Sequence, residues 1–274
     1  MGIQSKKVVI ILPAYNAEKT LERTLAEIPD EFRENIILVD DASKDNTVEI
    51  AKAAGLEVYQ HETNRGYGGN QKTCYRHALE AGADIVVMLH PDHQYDARVI
   101  PDLVYPILRG EADAAFGSRM LGGRPMEGGM PIWKYTANIF LTAFANVVFR
   151  HYLTEIHSGF RAYSRKYLET VRFEENSDDF IFDTEIIAQG MANNVFFREI
   201  PITTRYFPEA SSINFRRSVV YGVGILGVLV KYYLHSKNII RYPQFEPKPA
   251  RVCINDQIKP KQAAVSDDSN SETQ

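Results

Sequence analysis

Residues 89–94 read Leu89-His90-Pro91-Asp92-His93-Gln94 and directly follow the apolar run Ile85-Val86-Val87-Met88. A carboxylate flanked by imidazoles and a carboxamide on one short loop carries donor atoms suited to a divalent cation. The apolar run reads as a buried strand, and open α/β sheets hold their ligands at the carboxyl ends of the strands. A second run, Ile36-Ile37-Leu38-Val39, ends in Asp40-Asp41 and brings two more carboxylates toward the same sheet edge. Two strand ends thus predict one acidic crevice, with Asp92, His90 and Gln94 as candidate metal ligands.

Two other readings compete for these motifs. Met88-Leu89-His90-Pro91-Asp92-His93 matches a dinuclear hydrolase pattern, HxHxDH, at every position but the first. The missing histidine would leave that centre one ligand short. The loop Gly66-Tyr67-Gly68-Gly69-Asn70-Gln71-Lys72-Thr73 nearly spells a phosphate-binding P-loop, but Gln71 takes the place of the second required glycine. Its glycines, Gly66 first among them, instead let the backbone pass close to a ligand or to the sheet edge. Arg119 closes another predicted strand, and Arg205 lies in Thr204-Arg205-Tyr206-Phe207. The fork of either guanidinium suits a diphosphate.

The elements that must position these groups alternate from the start. Strands are predicted at Val8–Leu12, Ile36–Val39, Leu56–Gln60 and Ile85–Leu89, with helices at Ala17–Ile28, from Ser43–Asp45 to Ala54, and at Gln71–Ala81. That rhythm implies an α/β fold, a Rossmann-like and mostly parallel sheet covered on both faces. Further strands are expected at Ala112–Phe116, Gly159–Tyr163 and Val195–Ile200, a mobile stretch at Gly122–Pro131, and helices at Trp133–Arg150 and Ser218–Leu234. The last helix carries the apolar run Val219–Val230 between Arg216-Arg217 and Lys231. No run reaches the ~18–20 apolar residues of a spanning helix, so an amphipathic helix on an anionic membrane surface is expected. Ile225, Leu226 and Leu229 would be its immersed residues. Burial against the catalytic domain, or against a second copy in a homo-oligomer, is the alternative.

Composition narrows the partners. A net charge of −4 offers no global nucleic-acid-binding surface, and two cysteines, Cys74 and Cys253, supply no disulfide framework. A reducing, cytoplasmic setting is expected. The tail beyond Glu246, rich in Pro, Lys, Ser, Asp and Asn, reads as disordered.

Taken in order, six segments resemble the family-2 glycosyltransferases of the GT-A fold, in the branch of the dolichyl-phosphate mannosyltransferases and polyprenyl-phosphate glycosyltransferases. They are Pro13-Ala14-Tyr15-Asn16, Val39 to Thr47, Asn64-Arg65-Gly66, the Asp92 loop, Gly117-Ser118-Arg119 and Ser158-Gly159-Phe160-Arg161. The resemblance implies that Pro13, Tyr15 and the Asp40-Asp41 pair, Asp41 in particular, line the nucleotide of a nucleoside-diphosphate sugar. It implies Mg²⁺ or Mn²⁺ at Asp92, the second aspartate of an Asp-x-Asp motif, with Gln94 nearby. Arg119 and Arg205 would offset charge on the leaving diphosphate. For the base of an inverting transfer it points to Glu155 or to the pair Asp183 and Glu185. A lipid-phosphate acceptor, itself anionic, would need no base.

Three departures from the family pattern are visible. His90 replaces the first aspartate, Ala17 stands where a glutamate is usual, and Ser211-Ser212-Ile213 occupies the region of an expected lysine. A UDP-sugar is therefore as well supported as GDP-mannose. The implied layout is a catalytic domain over 1–215, a membrane-interface or dimerisation helix over 216–245 and a disordered tail over 246–274. The enzyme would sit at the inner face of the cell membrane. Transfer to a soluble or polysaccharide hydroxyl, or mere binding of nucleotide-sugars, are the alternatives.

Overall fold

In strand β1 (Val8–Ala14) successive side chains point to opposite faces, and both faces are dry. Val9 and Ile11 enter one core, Ile10 and Leu12 the other, all fully buried. A strand covered on both sides must be apolar at every position, as this one is. The computed structural model describes residues 6–122, 125–206 and 215–249. It adds β2 (Ile36–Asp40), β3 (Glu57–Gln60), β4 (Ile85–Met88), β5 (Ala114–Ser118), β6 (Arg161–Ser164) and β7 (Phe197–Pro201). Their order is β3-β2-β1-β4-β6-β5-β7. Strand β6 runs antiparallel to both its neighbours and the other pairings are parallel. The mostly parallel α/β sheet expected from the strand–helix rhythm is the one observed.

Helices α1 (Leu21–Glu27), α2 (Thr47–Ala53) and α4 (Ile100–Leu108) cover one face. The other carries α3 (Gly66–Glu80), α5 (Ile132–Phe149), α6 (Arg165–Thr170), α7 (Phe182–Ala192) and α8 (Phe215–Ser236). Three of these, α4, α6 and α7, have no counterpart in the sequence reading. Pro106 lies inside α4, where proline normally signals a break. In α7 every residue from Phe182 to Gly190 is buried, so no polar face marks a helical period.

The glycine-rich segment is a correction. It is the first turn of α3, not a loop, because tertiary partners satisfy the amides that the helix itself leaves unpaired. The Asp41 carboxylate accepts from the Arg65 and Gly66 amides at 2.7 and 3.0 Å. The Asp178 carbonyl accepts from Gly68 at 2.8 Å and from Gly69 at 3.3 Å. A Cβ at Gly68 would stand 2.3 Å from the Ser177 carbonyl oxygen. Glycine therefore stays despite a helix cost of about 1 kcal/mol.

Helix α8 corrects two further expectations. Its residues 217–236 are long and apolar enough to cross a bilayer by length and composition. Yet Ile225 and Leu229 are fully buried, with Val228 and Tyr232, in the core shared with α5 and α7. They are not membrane-facing. The outward residues are Val219, Val220, Val223 and Val230, all more than half exposed. Beside them α5 exposes Ile132, Ile139, Phe140, Phe144 and Val147.

The first tail residues are docked rather than loose. Phe245 is buried, the Lys248 amide donates to the Thr170 carbonyl at 2.9 Å, and its ammonium sits 4.2 Å above the Phe173 ring. Within the stretch expected to be mobile, Gly128 packs on Thr204, and its carbonyl accepts from the Tyr206 amide at 3.1 Å. Residues 123–124, the Ser211-Ser212-Ile213 region, the Arg216 side chain, and the tail from 250 with Cys253 lie outside the described residues.

Candidate active site

The carboxyl ends of β1, β2 and β4 open into one cleft of about 880 Å³. Pro13, Tyr15, Asp41, Gly66, His90, Asp92, Gln94, Arg119 and Asp183 all line it. One edge is thus the candidate nucleotide side, formed by the turn after β1 and the start of α3. The opposite wall comes from Lys134 on α5 and from Arg217 and Tyr221 on α8.

Asp92 is half-buried in the cleft, and its carboxylate accepts from the Gln94 amide at 3.1 Å. Burial pushes its carboxyl up to about 7, the amide bonds opposing. Among the described residues no group of three or more His, Cys, Asp or Glu converges as a metal cage. A half-buried acid in the cleft whose carboxylate is not ion-paired among the described residues would suit Mg²⁺ or Mn²⁺, hard cations that bind through oxygen.

Beside it, the His90 imidazole is lowered to about 4, chiefly by burial. Its Nε2 lies 3.2 Å from the Tyr67 hydroxyl, which donates to Asp183 at 2.8 Å. Burial and then the Asp183 charge hold the Tyr67 phenol well above its usual value. Asp183 also accepts from Gln71 at 3.3 Å and lies 3.4 Å from the buried Arg161 guanidinium.

Four residues expected at the site stand outside the cleft lining. Asp40 accepts from the Ser43 amide at 3.0 Å and shapes the loop after β2. Glu155 is buried and ion-paired with Arg119, accepting from its amide at 2.7 Å and its Nε at 2.8 Å. Burial is the largest single influence and would lower Arg119, but the Glu155 charge and hydrogen bond together with Tyr95 and Tyr206 outweigh it and hold the guanidinium above its usual range. Glu185 accepts from the Ser177 amide at 2.6 Å and steadies the loop that reaches α3.

Arg205 turns away from the cleft. Its Nη1 lies 3.0 Å from Glu27 and 3.1 Å from His93 Nε2. Its amide donates to the Gln94 carbonyl at 2.9 Å, so it braces the Asp92 loop from outside. Asp41 reaches the cleft, but both its oxygens are engaged, with His61 Nδ1 at 2.7 Å in addition to the α3 amides.

Sequence reasoning missed Tyr67, Lys134, His157, Asp178, Asp179 and Phe180, all at the cleft. Tyr67 was hidden inside a segment read as loop, and 178–180 precedes a helix with no visible period. Lys134 sits early in the predicted long helix, and only the fold shows that this end reaches the cleft. Its ammonium is lowered by burial and by Arg119.

His157, half-buried beside Tyr221 with its Nδ1 3.2 Å from that hydroxyl, is lowered to about 3 by desolvation, then Arg119 and Arg161. An imidazole depressed in the fold contributes stability above the unfolded value near 6.5, and loses it as pH falls toward the folded value. Asp92 works in the opposite sense across part of this window. The measurement is therefore the difference between wild type and His157→Asn. In EDTA, chemical unfolding should show wild type losing about 1.4 kcal/mol per pH unit more than the variant below pH 6.5. Parallel profiles would contradict the neutral imidazole.

The chain belongs to the glycosyl transferase family 2, whose family model matches residues 9–172. It is a nucleotide-sugar-dependent glycosyltransferase with the GT-A fold. It is 30% identical to the UDP-N-acetylglucosamine–dolichyl-phosphate N-acetylglucosaminyltransferase of Methanococcus voltae, over 73% of this chain and 86% of that one. It is 28% identical to the undecaprenyl-phosphate mannosyltransferase of Micrococcus luteus, over 72% and 83%. Glucosyl-3-phosphoglycerate synthase of Mycobacterium tuberculosis, solved with Mn²⁺, UDP-glucose and phosphoglyceric acid, superposes with a TM-score of 0.64 at 18% identity, covering 84% and 80%.

Proposed function

We propose that this chain is a metal-dependent, inverting glycosyltransferase that moves a sugar from a nucleoside-diphosphate sugar to a polyprenyl or dolichyl phosphate at the cytoplasmic face of a membrane. One observation carries the reading. The two helices with apolar outer faces, α5 and α8, are the same two that supply the wall of the cleft through Lys134, Arg217 and Tyr221. A lipid lying along those faces would have its phosphate at that wall. The two lipid-phosphate transferases among the relatives support this acceptor, and their different sugars leave the donor open.

The residues divide the work as follows. Pro13 and Tyr15 flank the nucleotide, while Asp41 holds the α3 amides in place beside it. Asp92 and His90 would hold the metal, which supplies positive charge where the diphosphate leaves. Arg119, fixed by Glu155, adds a second positive charge at the cleft, and Lys134 faces the acceptor's anion. Because Glu155, Asp183 and Glu185 are engaged within the protein, an acceptor that is already anionic fits better than a hydroxyl. Asp179, whose Oδ1 accepts from the Phe180 amide at 2.8 Å, is an exposed acid at the cleft that, among the described residues, neither the proposed metal nor an ion pair engages. Asp179→Asn should therefore keep transfer to a lipid phosphate within a few-fold of wild type. A loss of 100-fold in kcat would favour a hydroxyl acceptor and Asp179 as its base.

The membrane claim is tested by flotation with anionic vesicles. Val219, Val220 and Val223 lie outside core and cleft, so changing all three to serine should leave folding intact. With apolar burial contributing ~25 cal/mol per Å², the triple variant should partition roughly 100-fold more weakly, and salt should weaken wild-type binding only in part. If wild type never floats, or the variant floats equally well, the surface is an oligomer contact and a soluble phosphate acceptor becomes the better reading.

A further inference from the structure

The family pattern places an aspartate where this chain has His90, and the surroundings of that imidazole are built around it. Tyr67 has one hydroxyl proton and two neighbours, Asp183 Oδ2 at 2.8 Å and His90 Nε2 at 3.2 Å. The Asp183 carboxylate, ion-paired with Arg161, can only accept. The phenol proton therefore goes to Asp183, the phenol oxygen accepts, and His90 Nε2 carries the hydrogen. That leaves the lone pair on Nδ1, which makes no hydrogen bond among the described residues, in a side chain that lines the cleft with Asp92. Gly159 supplies the space, since a Cβ there would stand 2.7 Å from His90 Nε2. The Tyr67 and His90 rings are also stacked, with centroids 5.3 Å apart.

We propose that Asp183 and Tyr67 are positioning residues that fix His90 as the Nε2–H tautomer, so that Nδ1 joins Asp92 as a nitrogen ligand of the donor's metal and biases the site toward Mn²⁺ over Mg²⁺. The inference rests on the reading above, that a metal-bound nucleoside diphosphate occupies this cleft. A nitrogen donor strengthens binding of first-row transition ions far more than that of Mg²⁺, which prefers oxygen. A hydrogen bond from the far ring nitrogen to an ordered acceptor is how metal-binding histidines are oriented.

The test uses the full chain with UDP as the diphosphate probe. Pulsed electron paramagnetic resonance of bound Mn²⁺ should show coupling to an imidazole ¹⁴N, and His90→Asp should abolish it. Calorimetry should show the Mn²⁺-over-Mg²⁺ preference shrinking by about 10-fold in His90→Asp. Tyr67→Phe keeps the ring stacking; it should retain the ¹⁴N coupling but weaken Mn²⁺ binding by roughly 10-fold, with metal-free UDP affinity unchanged. Mn²⁺ binding that requires Asp92 yet shows no ¹⁴N coupling overturns the inference and leaves the glycosyltransferase reading intact. Mn²⁺ affinity unchanged in Tyr67→Phe overturns the positioning role. Full transfer in EDTA overturns both the inference and the metal dependence beneath it.

Discussion

Asp92→Asn is expected to lower transfer by roughly 10³-fold or more, since it would remove the proposed anionic ligand of the metal at the point where charge leaves with the diphosphate. The same substitution should make the metal-free protein more stable. In the fold, burial raises this carboxyl to about 7. A carboxyl raised in the fold contributes its stability below the unfolded value near 4 and loses it as pH rises through the folded one. Above pH 7 the metal-free enzyme thus carries a half-buried charge that costs a few kcal/mol and that asparagine does not have. Thermal melts in EDTA at pH 8 should place the variant above wild type, with the order reversing when Mn²⁺ and UDP are added. Near-normal transfer at saturating donor and metal would remove Asp92 from the metal site. A variant less stable in EDTA would remove the argument from burial.

Glu155→Gln is expected to act on stability before chemistry. The Arg119 guanidinium is almost wholly buried, and Glu155 meets it through its backbone amide and side chain together. Removing one partner of a buried pair strands the other, at about 3–5 kcal/mol. Denaturant unfolding should show that loss at neutral pH, together with a fall in kcat as Arg119 loses its fixed orientation in the cleft. A general base would behave differently, with kcat collapsing and becoming pH-independent while stability held. Unchanged stability with a collapsed kcat would restore Glu155 as the base and contradict the structural assignment.

The chain alone determined the architecture and the acidic edge of the cleft. Apolar runs such as Ile85–Met88 can sit only in a sheet covered on both faces, and a strand's direction dictates that Asp92 and Asp41 emerge at one edge. Helix periods failed where burial is complete, as in α7, and where tertiary capping overrides propensity, as in α3. Side-chain commitments were equally out of reach. Whether an acidic residue faces the cleft or an arginine beneath it depends on pairings across 36 residues for Arg119–Glu155 and 178 for Arg205–Glu27. Composition likewise showed α8 to be apolar, but only the packing shows which side of it is spent on the core. Periodicity reports that a face is dry. It does not say whether protein or lipid keeps it so, because both exclude water equally well.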